Sequence, residues 1–415
     1  MYTSWLMLKD LIFNGKVHWF LLFFIFIFVR WFVVYINSVR YKPYTNELSK
    51  KLFASVIVPV VDEPLDLFEN VITRMIRQKP DEIIIVVNGP KNTPLMKLSH
   101  KLRRESDCTI KVRYTPIGSK RNAIKVAMKN VDKKSDISVL VDSDTIWTKD
   151  TLAELLKPFE YNDIGGVTTR QKILKPNRNL IVMFANLLEE IRAEGTMKAM
   201  SFRNKVGCLP GRTIAFRTEI LQKCLHDFMN EEFLGIHKEI SDDRCLTNLT
   251  LKMGYKTVMQ DTSVVYTDAP EKLRQFIKQQ LRWSEGSQYN NVMMTPWMAK
   301  NNKLCNFIYW SDMLLPFLLL SVFVNWGVCQ YLIYNYYNIH AIVYQEPLWM
   351  LIILIFGGSA LSLGVRNVKV LSNLPWYYTL LLPFIVLFLT FVMMPIRLIG
   401  LSRIAKITGW GTRNV

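Results

Sequence analysis

Between Leu304 and Val365 the chain contains no lysine or arginine, and this gap constrains the fold more than any other feature. Elsewhere cations are plentiful, with 52 Lys and Arg against 34 Asp and Glu and a formal net charge of +18. The mean hydropathy of +0.13 is too high for a soluble basic protein and too low for a chain lying wholly in lipid. The average therefore covers two solvents. Inside the gap, the runs from Phe307 to Cys329 and from Leu348 to Val365 are apolar enough to span a bilayer. The polar loop from Tyr334 to Glu346 then lies outside, and Arg366 with Lys369 lies back in the cytoplasm.

An earlier apolar run, Trp19 to Ile36, is interrupted only by Arg30 and is just long enough to cross. It is too long for a cleaved signal peptide, and no small-x-small site follows it. Arg40, Lys42, Lys50 and Lys51 place its C-terminal end in the cytoplasm. The last run, Trp376 to Met394, is punctuated by Pro375, Pro383 and Pro395 and followed by Arg397, Arg403, Lys406 and Arg413. A full crossing would strand that basic tail on the wrong side, so a re-entrant or interfacial pair of helices is expected. The organisation read from these patterns is a membrane segment over 1–40, a cytoplasmic α/β domain over 41–270 and amphipathic interface helices over 271–303. Two transmembrane helices over 304–365 follow, then re-entrant or interfacial helices and a cytoplasmic tail over 366–415. This is a multi-pass protein of the plasma membrane. With three or four membrane segments a single chain has little to build a pore from, which leaves lipid or a second copy to line one.

Residues 37 to 303 hold 43 Lys and Arg against 31 Asp and Glu, a surplus of 12 cations. Such a surface suits anionic lipid headgroups or anionic small substrates. Zinc fingers, aromatic RNA-binding strands and basic helix repeats are missing from the sequence, so nucleic acid is not expected as a partner. The hydrophobic share of 50% excludes a disordered chain. The six cysteines form no CxxC pair, which argues against a zinc site or disulfide framework and for a reducing compartment.

Within this region, Ser55 to Val60 reads as a buried strand ending in the turn Asp62-Glu63-Pro64. A helix from Leu65 to Arg77 and a second strand, Ile83 to Val87, follow, the latter ending at Asn88-Gly89. That order makes a βαβ unit, and ligands bind such sheets at the carboxyl ends of the strands, where Asp62, Glu63 and Asn88 fall. A third strand, Ile137 to Val141, runs into Asp142-Ser143-Asp144. Two carboxylates one residue apart at a strand end can face one divalent cation that bridges a diphosphate, although the same pattern often serves as a turn. Upstream, Gly118-Ser119-Lys120-Arg121-Asn122 opens a helix and offers two cations to phosphate, or a solvated basic turn. Cys208-Leu209-Pro210-Gly211-Arg212 is a tight loop before the strand Thr213 to Phe216. Ser241-Asp242-Asp243-Arg244 introduces a helical run from Cys245 to Met253. A carboxylate there suits a general base, and a helix cap accounts for the others. Finally, Lys272 to Trp283 reads as an amphipathic helix with Leu273, Phe276, Ile277 and Leu281 on one stripe. Gln279, Arg282 and Trp283 share an adjoining face, where an indole beside a guanidinium makes a carbohydrate platform with a phosphate clamp, or an interfacial anchor.

The strand-end turn, the DxD of Asp142 to Asp144, the double Asp and the QxxRW of Gln279 to Trp283, in this order and flanked by membrane spans, resemble the processive family 2 glycosyltransferases. These include the cellulose, chitin and hyaluronan synthases. Asp242-Asp243-Arg244 with Leu246-Thr247-Asn248 is similar to the GDDR-x-LTN stretch of hyaluronan synthases, and Trp410-Gly411-Thr412-Arg413 matches their WGTR signature. Val139 to Trp147 and Ser284 to Asn291 look most like type 3 capsular polysaccharide synthases. The resemblance implies a Rossmann-like GT-A catalytic domain fused to α-helical transmembrane and interfacial helices. It also implies Mg2+ or Mn2+ held by Asp144 and Asp142 on the UDP diphosphate, and Asp243 as the base that deprotonates the acceptor hydroxyl. Gln279 and Arg282 would meet pyrophosphate or acceptor, Trp283 would stack under the terminal sugar, and Cys208, Gly211 and Arg212 would line the acceptor site. Asp62, Glu63, Asn88, Lys120 and Arg121 would lie at the nucleotide, over which Trp410, Thr412 and Arg413 would close. Two positions depart from the family: Asn88 stands where an Asp usually reads uracil, and Gly211-Arg212 replaces a pair of small residues. The expected partners are UDP-sugar donors, a growing polysaccharide and membrane lipid. The expected activity is inverting polymerisation of UDP-glucose and UDP-glucuronate with secretion of the chain. A hyaluronan synthase, or a non-enzymatic transporter or scaffold, is the alternative.

Overall fold

The computed structural model describes residues 19–328 and 348–406. The chain forms two compact units. One holds Asn37–Asn306 and the chain from Gly400, and the other holds Phe307–Ile399 with the N-terminal residues to Ile36.

The larger unit is built on an eight-stranded sheet. Its strands are β1 (Ala54–Val60), β2 (Glu82–Asn88), β3 (Thr109–Thr115), β4 (Ile137–Val141), β5 (Ile146–Trp147), β6 (Ile164–Ile173), β7 (Thr213–Arg217) and β10 (Lys256–Thr267). A separate hairpin pairs β8 (Glu232–Phe233) with β9 (Ile236–His237). The sheet order is β3-β2-β1-β4-β7-β6-β10-β5. Strands β1, β2 and β4 are buried along their whole length, as expected of parallel strands covered on both faces. The Leu65–Ile76 helix covers one face by burying Phe68, Val71, Ile72 and Met75 against the core.

From β1 the chain turns to β2 on one side and later to β4 on the other, both parallel to it. Their carboxyl ends therefore meet at a topological switch point, the place where open α/β sheets take ligands. The sheet is mixed, because β7 runs antiparallel to both β4 and β6. Strands β3, β6 and β10 have no counterpart in the sequence reading. Strand β6 carries Gly165 and Gly166, which ordinarily weaken a strand. Here a Cβ at Gly165 would collide with Tyr255, and one at Gly166 with Leu209, so tertiary packing demands what local propensity disfavours.

In the other unit the Trp19–Ser38 helix packs Phe23 with Leu319 and Val322 of the Lys303–Val328 helix. Arg30 pairs with Asp312 at 2.6 Å and donates to Ser311 Oγ at 3.1 Å. Charged groups in apolar helices persist only when paired in this way. A further helix runs Leu348–Arg366. Two helical runs, Lys303–Val322 and Leu382–Ser402, are long and apolar enough to cross a membrane, and Leu22–Ser38 is a shorter apolar helix. The segment expected to be re-entrant or interfacial begins with the short Tyr377–Leu380 helix, and a continuous 21-residue helical run, Leu382–Ser402, follows. Pro383 sits in the first turn of that run, where its missing N–H costs nothing, and Pro395 follows a π-helical turn over Leu389–Met393 that reroutes the bonding. The loop from Tyr334 to Glu346 lies outside the described residues.

Candidate active site

The switch point gathers most of the predicted residues. After β1, Asp62 is exposed and accepts from Asn92 Nδ2 at 3.3 Å. Glu63 is buried and accepts from Ser143 Oγ at 2.8 Å, so the turn after β1 holds the middle residue of the acidic pair after β4. Asn88, at the end of β2, is fully buried and donates through Nδ2 to the Val60 carbonyl at 3.2 Å. Its Oδ1 has no partner, an acceptor left open of the kind an imide N–H satisfies.

Asp142 and Asp144 are fixed from below by main chain: Asp142 N–H donates to the Arg212 carbonyl at 3.0 Å, and Thr145 N–H donates to the Asp142 carbonyl at 3.1 Å. Lys120 Nζ lies 2.6 Å from Asp142 Oδ1. Arg212 reaches both carboxylates, at 3.9 Å from Asp142 and 3.7 Å from Asp144. Burial alone would raise the Asp142 carboxyl, but Lys120 and Arg212 outweigh it and hold it below the usual carboxylate range. The Lys120 ammonium is raised in return, since Asp142 overrides the burial that would lower it.

Asp144 Oδ1 is buried without a partner. Among the described residues no group of three or more His, Cys, Asp or Glu stands ready to hold a metal. An orphan carboxylate oxygen beside a second carboxylate fits a cation whose remaining ligands come from a diphosphate.

Asp243 opens the Asp242–Lys252 helix. Its Oδ2 accepts from Gly211 N–H at 3.1 Å and its Oδ1 from Arg244 N–H at 2.8 Å. A Cβ on Gly211 would stand 3.4 Å from the Asp243 Cβ and 3.6 Å from Lys120 Nζ, so glycine leaves the loop room beside the carboxylate. Thr247 ties the loop down by accepting from Leu209 N–H at 3.1 Å. Cys208 is half-buried, and burial with Asp243 nearby pushes its thiol up to about 12, leaving it protonated and inert.

Arg121 is where the structure corrects the sequence reading. It does not face the nucleotide: the side chain is 1% exposed. It donates to Asp242 at 3.0 Å, Glu231 at 2.6 Å, and the Phe228 and Ile240 carbonyls at 2.6 and 3.1 Å. Successive residues on a helix point about 100° apart, so Lys120 turns to the site and Arg121 into the core. The same division separates Asp243 from Asp242, whose carboxyl burial pushes up despite the Arg121 guanidinium.

The QxxRW residues lie on the Leu273–Asn301 helix. Trp283 is 44% exposed, and Gln279 is half-buried. Burial and the charge of Arg212 lower the Arg282 guanidinium against the pull of Asp243 and Asp142, which places it among the same charges. The expected apolar stripe is corrected as well. Leu273 is 43% exposed, and of the four stripe residues only Phe276 is buried. The buried side is polar instead: Asn290 accepts from Asn248 at 2.7 Å, and Arg244 bonds Asn291. Next to this helix Ser241 adopts a left-handed conformation, φ 60°, with its hydroxyl where a Cβ on Gly286 would be.

Sequence reasoning missed Gln171, which donates to the Pro210 carbonyl at 3.2 Å and accepts from Arg192 at 3.3 Å behind the loop. It also missed Glu231; the acidic pair Glu231-Glu232 before the double-Asp motif was the available signal. Trp410, Thr412 and Arg413 lie outside the described residues.

The profile of Glycosyltransferase like family 2 matches residues 54–286, which is more than half of the chain. The chain belongs to that family. Hyaluronan synthase of Streptococcus pyogenes is 26% identical to this family 2 enzyme over 385 residues, covering 91% of this chain and 87% of the relative. Hyaluronan synthase 1 of Xenopus laevis is 24% identical, covering 71% of this chain and 47% of its own length. Among solved structures, the mannosyltransferase PcManGT from Pyrobaculum calidifontis, in complex with GDP-Man and Mn2+, aligns with a TM-score of 0.61 at 16% identity, covering 91% of this chain and 95% of that one. That likeness shows a GT-A-like fold.

Proposed function

We propose that this family 2 enzyme is a processive, inverting polysaccharide synthase that uses UDP-sugars. The observation that carries the reading is the Asp243 carboxylate, fixed by the Gly211 N–H beside Lys120 and within the field of Arg282. A carboxylate held this way is ready to take the proton of an acceptor hydroxyl as that oxygen bonds to the anomeric carbon. The bond from that carbon to the diphosphate breaks on the opposite face, and its electron pair leaves with UDP. Lys120, Arg212 and Arg282 supply fixed positive charge where the departing diphosphate gains negative charge. Trp283 offers an indole face for the terminal sugar, and the open Asn88 Oδ1 can accept from uracil N3–H. Asp144 and Asp142 would hold Mg2+ or Mn2+, and such an ion, when bound, neutralises the diphosphate.

UDP-glucose and UDP-glucuronate are the donors we assign, added alternately. The resemblance to type 3 capsular polysaccharide synthases and the cationic Arg212 beside Gly211 support an anionic sugar. The hyaluronan synthase relatives favour a second reading, with UDP-N-acetylglucosamine in place of UDP-glucose. Purified full-length protein supplied with UDP-sugars singly and in pairs distinguishes them. Polymer from the glucose and glucuronate pair alone supports the first assignment, and polymer that requires N-acetylglucosamine refutes it.

A further inference from the structure

The hairpin β8–β9 leads into Lys238, a lysine only 1% exposed. Burying an ammonium costs several kcal/mol unless it is well partnered, yet among the described residues no carboxylate lies within ion-pair distance of it. Its Nζ donates instead to two main-chain carbonyls far along the chain, Ile404 at 2.8 Å and Lys406 at 2.7 Å. The lysine itself is held in place by its own N–H, which donates to the Glu231 carbonyl at 2.9 Å.

Three other contacts bring the same tail segment onto the catalytic unit. Ile404 packs against the cluster of Phe233, Ile240 and Tyr289. Arg403 pairs with Glu285 at 3.6 Å. Gly400 lies so close to Ser284 that any side chain there would overlap it. Two of these contacts involve buried charges, the Lys238 ammonium and the Glu285 carboxylate, and Lys238 is the one that reaches the tail's main chain. Its ammonium also sits 5.5 Å from the Tyr289 ring. Tyr289 donates to Glu231 and the Ile240 carbonyl, at 3.2 and 3.0 Å, and Arg121 bonds the same two acceptors while holding Asp242.

We propose that Lys238 is a positioning residue that latches the tail segment 400–406 onto the rest of the catalytic unit, through the hairpin that precedes the acidic pair. The latch is binary. With the tail docked the ammonium is satisfied by the two carbonyls, and with the tail away it must be rehydrated.

Amide hydrogen exchange on the full-length, nucleotide-free protein tests this. Lys238→Met keeps the apolar stem and removes the charge. The expected result is exchange in residues 401–406 about tenfold faster or more, with β1 and β4 unchanged and protection restored in Lys238→Arg. Tail protection equal to wild type in the methionine variant overturns the latch, as does an arginine variant that exchanges as fast as the methionine one. Should Lys238→Met fail to fold, Ile404→Ser probes the contact from the other side. Faster exchange across residues 232–240 is then expected, and unchanged protection there overturns the proposal.

Discussion

Two charge clusters lie back to back in the catalytic unit, and neighbouring residues are dealt alternately between them. Lys120 and Asp243 face the site, where Asp142, Asp144 and Arg212 stand partly open with one carboxylate oxygen unpartnered. Arg121 and Asp242 face inward, where Glu231, Tyr289 and two carbonyls close round the guanidinium. The front cluster keeps its cations beside a partly open acidic pair; in the rear one every nitrogen of the guanidinium is bonded, although Glu231 Oε1 is left without a partner. The difference teaches that charge in this unit has two settings, and that burial of the cation with every guanidinium nitrogen bonded, rather than residue type, tells them apart.

The comparison can be broken from either side. The largest effect is expected at Asp243→Asn, with transfer falling by about 10³-fold or more and UDP affinity within about threefold of wild type. Turnover and nucleotide-binding measurements on the purified protein check it, and synthesis near wild-type rate would remove Asp243 from the role of base. Arg121→Met should instead act on stability, by about 3–5 kcal/mol, because it leaves Asp242 and Glu231 buried without their cation. Unfolding followed by denaturant or heat reads this; an unaltered transition would mean that the rear cluster is not structural. Its neighbour provides the mirror image. Lys120→Met is expected to cost about 10²-fold in turnover and to shift the unfolding transition far less than Arg121→Met does.

The smallest effect is the pH dependence of the front cluster. Asp142 is held low in the folded protein by Lys120 and Arg212 against the effect of burial. Its contribution to stability is therefore complete above the unfolded carboxyl value and fades as pH falls through the folded one. Melting curves of wild type and Asp142→Asn should differ at neutral pH and converge only below about pH 4. A difference that grew on acidification would reverse the assigned sign.

How much of this could be read in the sequence follows from the same physics. Strands β1, β2 and β4 are unbroken apolar runs that end in polar turns, so their carboxyl ends, and with them Asp62, Asn88 and Asp142, were legible. Strand β6 was not, because its two glycines are required by side chains from distant parts of the chain, Tyr255, Ile220 and Thr250 at Gly165 and Leu209 at Gly166. Strand β10 hides behind Asp261 and a register shift between Gln260 and Val264. Adjacency placed Lys120 and Arg121 together on paper, but which of them a helix turns inward depends on Glu231, 110 residues away. The polar underside of the Leu273–Asn301 helix was invisible for a like reason, since Asn290 and Asn291 find their partners only on the Asp242–Lys252 helix.

Gly286 lies three residues beyond Trp283, and the Ser241 it accommodates lies two before Asp243. The left-handed serine, its hydroxyl seated against the glycine, thus joins the segment bearing Asp243, the proposed base, to the helix bearing Trp283, the proposed sugar platform. That junction leaves no room for growth, because a Cβ at Gly286 would collide with Ser241 Oγ, two residues before Asp243. The 208–212 loop opposite meets Asp243 through a single N–H, from Gly211, while its Arg212 is tied by charge to Asp142 and Asp144.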